Sequence, residues 1–351
     1  MIKKKLSEEK PETNFQHQNQ EIIKKITQEY GEGIINILGK SKFKDQPTLS
    51  TGSFILDRKA GGGYPLGKIT EIYGENSSGK TTLALHAVRE CQKLGKRTIW
   101  LDVENALNAK HAQNIGVDID NLLVLYPKYG EQAFKLLIDF IRGEAGLIVI
   151  DSIAPLIPIE LLGNWERPPI GAHAKMLNNG LNQIINEMTN RETTIIFINQ
   201  LRYKIPTSGF AFGNPETTTG GKALPYYASL RIKLRNKKER IEKEGKYAGI
   251  KIAAWVDKTK LISDYLSSKD SKDGKEKPIE IELMFKGGIQ KEREIIDLAT
   301  ELNILQKSGN WYSYQERKIG NGRENTVDYL KENIEIYQEI EKNVIDQIMK
   351  N

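Results

Sequence analysis

The chain has one cysteine, Cys91, among 351 residues. That excludes an intrachain disulfide and any cysteine-rich zinc site, and points to a reducing, intracellular setting. Long apolar runs are also missing. No stretch reaches the roughly 18 consecutive apolar residues that a membrane-spanning helix needs, so no membrane association is expected. The first ten residues (Met1 to Lys10) have no apolar signal core, and Glu8 and Glu9 make them too acidic for a transit peptide. A large excess of one charge is missing too, with 52 Lys and Arg against 46 Asp and Glu. The formal net charge is +6, mild enough that it permits a polyanionic partner without requiring one. Only 38% of residues are hydrophobic, which still allows a large central domain with smaller ones attached.

What is present is most informative at Gly74-Glu75-Asn76-Ser77-Ser78-Gly79-Lys80-Thr81. This is G-x-x-x-x-G-K-[ST], the phosphate-binding P-loop, with a strand-like run before it (Ile69, Ile72, Tyr73) and a helix-like run from Thr82 after it. The glycines let successive N–H groups converge on one point, and the helix that follows adds its positive end. Lys80 can reach the outer phosphates of a nucleotide, and Thr81 can hold Mg²⁺.

Around the loop, strand-like runs at 68–73, 98–102, 122–125, 147–151 and 194–199 alternate with helical patterns at 82–93, 131–142 and 174–190. The alternation predicts an α/β fold with a largely parallel sheet covered on both faces, and ligands beyond the carboxyl ends of its strands. From 226 to 235, 251 to 256 and 278 to 285 the strands follow one another without helices, as antiparallel additions to one edge. At the N-terminus, 1–18 reads as a flexible polar arm. Ile22, Ile23 and Ile26 place an amphipathic helix at 19–30, and Ile34–Leu38 reads as a strand. The charged, low-complexity stretch 267–277 reads as an exposed insertion. The domains expected are thus an arm (1–18), a helix and strand (19–40), a core (41–288) and a small α+β domain (289–351) that ends in a long helix from Thr326 to Met349.

Three strand ends carry further chemistry. Leu147–Ile150 delivers Asp151 to the sheet rim, where a carboxylate can hold Mg²⁺ through water. Glu104, after Leu101-Asp102-Val103, is either a base for an attacking water or an acid at a helix start. Gln200, after Ile195–Asn199, is either a γ-phosphate sensor or an ordinary polar strand end. The glycine-rich segment 201–226 follows, with Arg202, Lys204 and Lys222 suited to a phosphate backbone.

Together these motifs resemble the bacterial RecA family. The resemblance is carried by Gly74–Thr82, Asp102–Leu107, Gly116–Leu123, Phe197–Arg202, the block Phe212-Gly213-Asn214-Pro215-Glu216-Thr217-Thr218-Thr219-Gly220-Gly221, and Trp311–Tyr314 with Lys318–Gly320. It runs from near Ile22 to about residue 335. It implies a P-loop ATPase core flanked by a small N-terminal helix–strand element and a small α+β C-terminal domain. It also implies a cytoplasmic, ATP- and Mg²⁺-dependent DNA recombinase that forms helical filaments on single-stranded DNA and pairs it with double-stranded DNA. Self-association would be through residues 19–40, and LexA-type repressors are possible further partners.

By the same resemblance Gly74, Glu75, Asn76, Ser77, Ser78, Gly79, Lys80, Thr81, Thr82, Asp151 and His111 bind nucleotide, with Thr81 and Asp151 on the metal. Glu104, Lys80 and Gln200 are catalytic, and Lys258 and Lys260 reach a neighbour's ATP unless they are a plain surface pair. DNA contacts fall to loops at about 160–171 and 201–219, with Ile170, Lys175, Arg202, Lys204, Ile205, Gly220 and Gly221. The chain departs from the family at Trp165 and Arg167 in the first loop, at Pro206–Ala211 in the second, at His111 (usually tyrosine), Asn108 (usually aspartate) and Pro225 (usually lysine), and in the 267–277 insertion. A ring-type P-loop ATPase and a non-exchanging filament protein are the alternatives.

Overall fold

The computed structural model describes residues 14–40, 46–163, 171–203, 216–243, 245–261 and 277–350. It divides into two units, 1–47 and 48–351.

In the first unit, α1 (Asn14–Tyr30) is a helix, ended by Gly31 at φ +94°, the left-handed region where glycine is least strained. The strand expected at Ile34–Leu38 is not formed. Residues 31–37 make turns and bends, and Leu38–Lys40 is a single 3₁₀ turn. Sheet pairing needs a neighbouring strand, and the described residues of this unit provide none. Several of its apolar side chains stay out in solvent, Ile34 63% and Leu38 79% exposed.

The second unit opens with β1 (Thr48–Leu49), α2 (Phe54–Ala60) and β2 (Tyr64–Pro65). Then come β3 (Ile69–Gly74), α3 (Lys80–Lys93), β4 (Thr98–Asp102), α4 (Ala109–Ile115), β5 (Leu122–Leu125), α5 (Gly130–Arg142), β6 (Leu147–Asp151), α6 (Ala172–Glu187) and β7 (Thr194–Tyr203). After these follow β8 (Glu216–Thr218), α7 (Ala223–Tyr227), the long hairpin β9 (Leu230–Lys243) and β10 (Lys246–Thr259), and β11 (Ile279–Met284).

One sheet runs in the order β11-β10-β9-β3-β7-β6-β4-β5, with β8 pairing antiparallel to the end of β7. From β9 to β5 every pairing is parallel; β10 and β11 are antiparallel. The three strands expected as antiparallel additions therefore contribute two. The first is parallel to β3, because the short helix α7 carries the chain back across the sheet before β9 begins, and residues 226 and 227 belong to that helix.

Alternation along the buried strands sends side chains to opposite faces. Ile72, Trp100, Val149, Ile196 and Ile198 pack against α3 and α4 on one side. Ile69, Ile99, Leu101, Ile148, Ile150 and Phe197 pack against α5 and α6 on the other. A parallel sheet covered on both faces needs such near-continuous apolar strands.

The remaining chain forms a lobe with its own core: α8 (Lys291–Glu301), the sheet β12 (Gln306–Ser308), β13 (Trp311–Tyr314) and β14 (Arg317–Asn321), then α9 (Arg323–Glu332) and α10 (Ile334–Lys350). The single long helix expected from Thr326 is two helices. Asn333 leaves helical geometry (φ −115°, ψ 71°), and its amide donates to the Tyr329 carbonyl at 2.8 Å. Asparagine competes for backbone partners in this way.

Candidate active site

The P-loop forms at the carboxyl end of β3, in the middle of the sheet. Two of its glycines have distinct reasons, a close backbone approach at Gly74 and a left-handed conformation at Gly79. A Cβ on Gly74 would lie 2.1 Å from the Leu234 carbonyl oxygen of β9, and one on Gly79 would lie 2.5 Å from Leu283 Cδ1. Gly79 also sits at φ +90° as the N-cap of α3. The loop can thus curl against β9 and present the start of α3, the anion-attracting end of a helix.

Lys80 lies across the loop, its Nζ donating to the carbonyls of Glu75 (2.7 Å) and Gly74 (3.3 Å). Burial pushes its pKa down from the usual lysine range, while Asp151 and Glu104 oppose that shift. Thr81 Oγ1 donates to Asp151 Oδ2 at 2.8 Å. Burial raises the Asp151 carboxyl to about 6; the Thr81 hydrogen bond and Lys80 pull the other way, and Glu104 and Asp102 push it further up.

Glu104 reaches the same rim from the end of β4. Its backbone is docked on the next strand, since Val103 N–H and Glu104 N–H both donate to the Asp151 carbonyl, at 2.9 and 3.4 Å. Asp102 turns back to accept from Ala106 and Leu107 N–H, each at 3.0 Å. Glu104 Oε1 accepts from Ser152 Oγ at 2.5 Å and from Gln200 Nε2 at 3.3 Å. Lys80, Thr81, Glu104, Asp151 and Gln200, read from four separate strand ends, therefore converge on one place. His111, on α4, lies beside the loop with Nε2 3.0 Å from Thr82 Oγ1, and burial lowers its pKa. Asn108 caps α4 by accepting from His111 N–H at 2.9 Å, so the asparagine serves as a helix cap in its own right.

Lys258 and Lys260 do not join this cluster. Lys258 pairs across β9 with Arg231, and β9 pairs Arg231 with Glu71 but Leu234 with Gly74. The lysines lie about 10 Å back along the strands from the P-loop and two strands, about 10 Å more, to the side. Lys258 Nζ donates instead to the carbonyls of Pro225 (2.8 Å) and Tyr226 (2.9 Å), at the negative end of α7. Burial lowers the pKa of this lysine, with Lys260 and Arg231 adding to the shift.

Of the expected DNA contacts, Ile170, Lys204 and Ile205 fall outside the described residues, as do Trp165 and Arg167. The others lie on α6, at the end of β7 and in the turn before α7. Gly220 (φ +91°) and Gly221 (φ +75°) turn against the first half of α6, which carries the exposed Lys175. Arg202 Nε donates to Thr219 Oγ1 at 3.4 Å. Asn199 ties this turn to the core, its amide donating to the Thr219 carbonyl (3.0 Å) and to buried Glu71 (2.9 Å). Glu71 also accepts from Arg231 at 2.6 Å.

Sequence reasoning missed Ser152, Asn199 and Glu71. A lone serine after a strand, or one polar residue inside an apolar strand, carries no spacing signal. Among the described residues no group of three or more His, Cys, Asp or Glu side chains could hold a metal unaided. The paired Thr81 hydroxyl and Asp151 carboxylate do fit Mg²⁺, a hard cation that keeps several waters and shares phosphate oxygens. No helix among the described residues is long and apolar enough to cross a membrane.

Comparison with known proteins agrees over nearly the full chain. The RecA N-terminal domain family matches residues 17–289, and the RecA C-terminal domain family matches 293–349. Protein RecA of Bacillus licheniformis is 41% identical over 325 residues, 92% of this chain and 89% of that protein. Protein RecA of Bacillus subtilis is 40% identical over 325 residues, with the same coverage. Protein RecA of Macrococcus caseolyticus is 40% identical over 326 residues, 92% of this chain and 88% of that protein.

Proposed function

Because this chain belongs to the RecA family, a family of DNA-dependent ATPases that act as recombinases, we propose that its P-loop cluster hydrolyses ATP with Mg²⁺ and that this turnover drives pairing and strand exchange. The observation that carries the reading is the convergence of Lys80, Thr81, Glu104, Asp151 and Gln200 at the ends of neighbouring parallel strands.

Each residue then has a chemical task. The loop N–H groups and the start of α3 hold the phosphates. Lys80 exchanges its two carbonyl partners for phosphate oxygens, a stronger charge-assisted contact. Thr81 and Asp151 hold Mg²⁺, which when bound neutralises charge on the outer phosphates. Glu104 orients the attacking water and accepts its proton. Gln200 donates to the γ-phosphate and, as part of β7, passes its position on to the strand that leads into the 201–219 segment. His111 packs beside the base.

Lys258 and Lys260 serve the site of a neighbouring subunit, as an arginine finger does. Their distance from the P-loop of their own chain favours that assignment. The exposed apolar side chains of 15–38 supply the docking surface. Lys175, Arg202, Lys204, Gly220 and Gly221 grip the backbone of single-stranded DNA, and Ile170 and Ile205 wedge between its bases. Base edges stay free to pair with a duplex. A cytoplasmic site of action and contact with LexA-type repressors follow the same reading.

The test is ATP hydrolysis with and without single-stranded DNA. DNA is expected to raise turnover, and Glu104→Ala to abolish it while nucleotide binding persists. Turnover that ignores DNA, or survives in Glu104→Ala, overturns the assignment.

A further inference from the structure

The carboxylate of Glu104 is exposed, yet it is held from below by a side chain that is 1% exposed, Ser152. Ser152 Oγ donates to Glu104 Oε1 at 2.5 Å. The same oxygen takes the longer bond from Gln200, at 3.3 Å. One carboxylate oxygen therefore carries both donors.

The backbone around Ser152 joins the three parts of the site. Asp151, before it, accepts from Thr81 through its side chain and from Val103 and Glu104 N–H through its carbonyl. Ile153, after it, donates its N–H to the Ile198 carbonyl at 3.1 Å, two residues before Gln200. The metal side, the base and the sensor strand are thus referenced to one three-residue segment, and Ser152 is its only member whose side chain touches Glu104 among the hydrogen bonds described.

We propose that Ser152 is the positioning residue of the ATPase reaction: its hydroxyl pins one oxygen of Glu104, leaves the other directed at the attacking water, and keeps it there when Gln200 departs for the γ-phosphate. The inference rests on the function proposed above. Of the two donors Gln200 holds the longer bond, the one that gives way as its amide turns toward a phosphate, whereas the shorter bond comes from a buried side chain. A carboxylate on an exposed side chain that loses its only other donor rotates freely, and small misplacements of a reacting group lower rates by up to about 100-fold. A buried hydroxyl whose backbone is tied to two strands holds its position at little entropic cost.

The experiment compares the wild type with Ser152→Ala, which removes the donor, and Ser152→Cys, which keeps nearly the same volume with a weak donor. The steady-state kcat and KM for ATP at saturating single-stranded DNA are measured, with the thermal midpoint and the affinity for a slowly hydrolysed ATP analogue. In both variants kcat is expected to fall about 10- to 100-fold, with KM, analogue affinity and thermal midpoint near wild type. In a Glu104→Gln background, Ser152→Ala is expected to add almost nothing, because the two act as one unit.

Wild-type kcat in Ser152→Ala, or a loss in the Glu104→Gln background as large as in the wild type, overturns the proposal. A wild-type chain that binds ATP without hydrolysing it overturns the proposed function and the role of Ser152 together; a hydrolysing wild type matched by its Ser152 variants overturns the role alone.

Discussion

At the scale of single residues, the P-loop is defined by what its glycines leave out. A methyl group at Gly74 meets a backbone carbonyl of β9 that cannot rotate away, whereas one at Gly79 meets the tip of a flexible leucine. Gly74→Ala is therefore expected to displace the loop and cost at least about 2 kcal/mol of stability, in the range of overpacked positions. Urea unfolding and nucleotide binding measured on the same preparation check this; an alanine variant with wild-type values for both contradicts the close approach to Leu234. The residues that were legible in the sequence share one property. Gly74 to Thr81, Asp151 and Gln200 sit at fixed offsets from apolar strands, so spacing announces them. Ser152, Asn199 and Glu71 act through contacts between segments far apart in the chain, and no local pattern encodes such a contact.

At the scale of elements, one buried carboxylate spans the joint between the core and the C-terminal lobe, beside the ion pairs that Arg293 and Arg323 make with Glu282. Glu294 of α8 caps α2 from outside its own segment. It accepts from Ser53 Oγ at 2.7 Å, Phe54 N–H at 2.6 Å and Ile55 N–H at 3.3 Å. Burial raises its carboxyl to about 7 against these three hydrogen bonds, and nearby Asp57 raises it further. Tyr337 on α10 also feels its charge, and Lys251, Glu280, Glu282, Arg293, Asp297 and Arg323 line the same cleft.

An acid whose folded pKa lies above its unfolded value binds more protons when folded. Its stabilising effect is full below about 4.5 and is lost as pH rises to about 7. The shift corresponds to something on the order of 3 kcal/mol. Between pH 5 and pH 8 the wild type is expected to lose stability relative to Glu294→Gln, as read by chemical unfolding of both proteins; parallel profiles contradict the assignment.

Elements were legible where periodicity was long, as in α3, α5 and the buried strands. The break at Asn333 was not, because the apolar spacing runs on through it. Nor was the missing strand at Ile34–Leu38, whose sequence favours a strand while the described residues of its own unit offer no partner to pair with. The antiparallel edge was misread at β9 because strand direction depends on the crossover through α7, which hydrophobic pattern does not reveal.

At the scale of the whole molecule, the proposed role of Lys258 and Lys260 makes the ATP site one that two chains complete. The P-loop and Glu104 stand at the carboxyl ends of the parallel strands, and Lys258 and Lys260 stand toward the other end of β10. If those lysines complete a neighbour's site, two inactive variants can repair one another. A chain carrying Lys80→Ala still offers its lysines, and a chain carrying Lys258→Ala and Lys260→Ala still offers its P-loop. Mixed in equal amounts on single-stranded DNA, they are expected to recover roughly a quarter of wild-type turnover by random alternation of subunits, a partial rescue in the sense of a residue supplied in trans. No recovery above the sum of the separate variants contradicts a site shared between chains.

The most direct test of the account is assembly itself. Purified protein is mixed with a labelled single-stranded oligonucleotide and Mg²⁺, with and without a slowly hydrolysed ATP analogue, and the bound mass is followed by sedimentation and electron microscopy. The account predicts long helical filaments only when the nucleotide is present, because phosphate held by Lys80 and sensed by Gln200 sets the DNA-gripping strand. Equal assembly in its absence contradicts it.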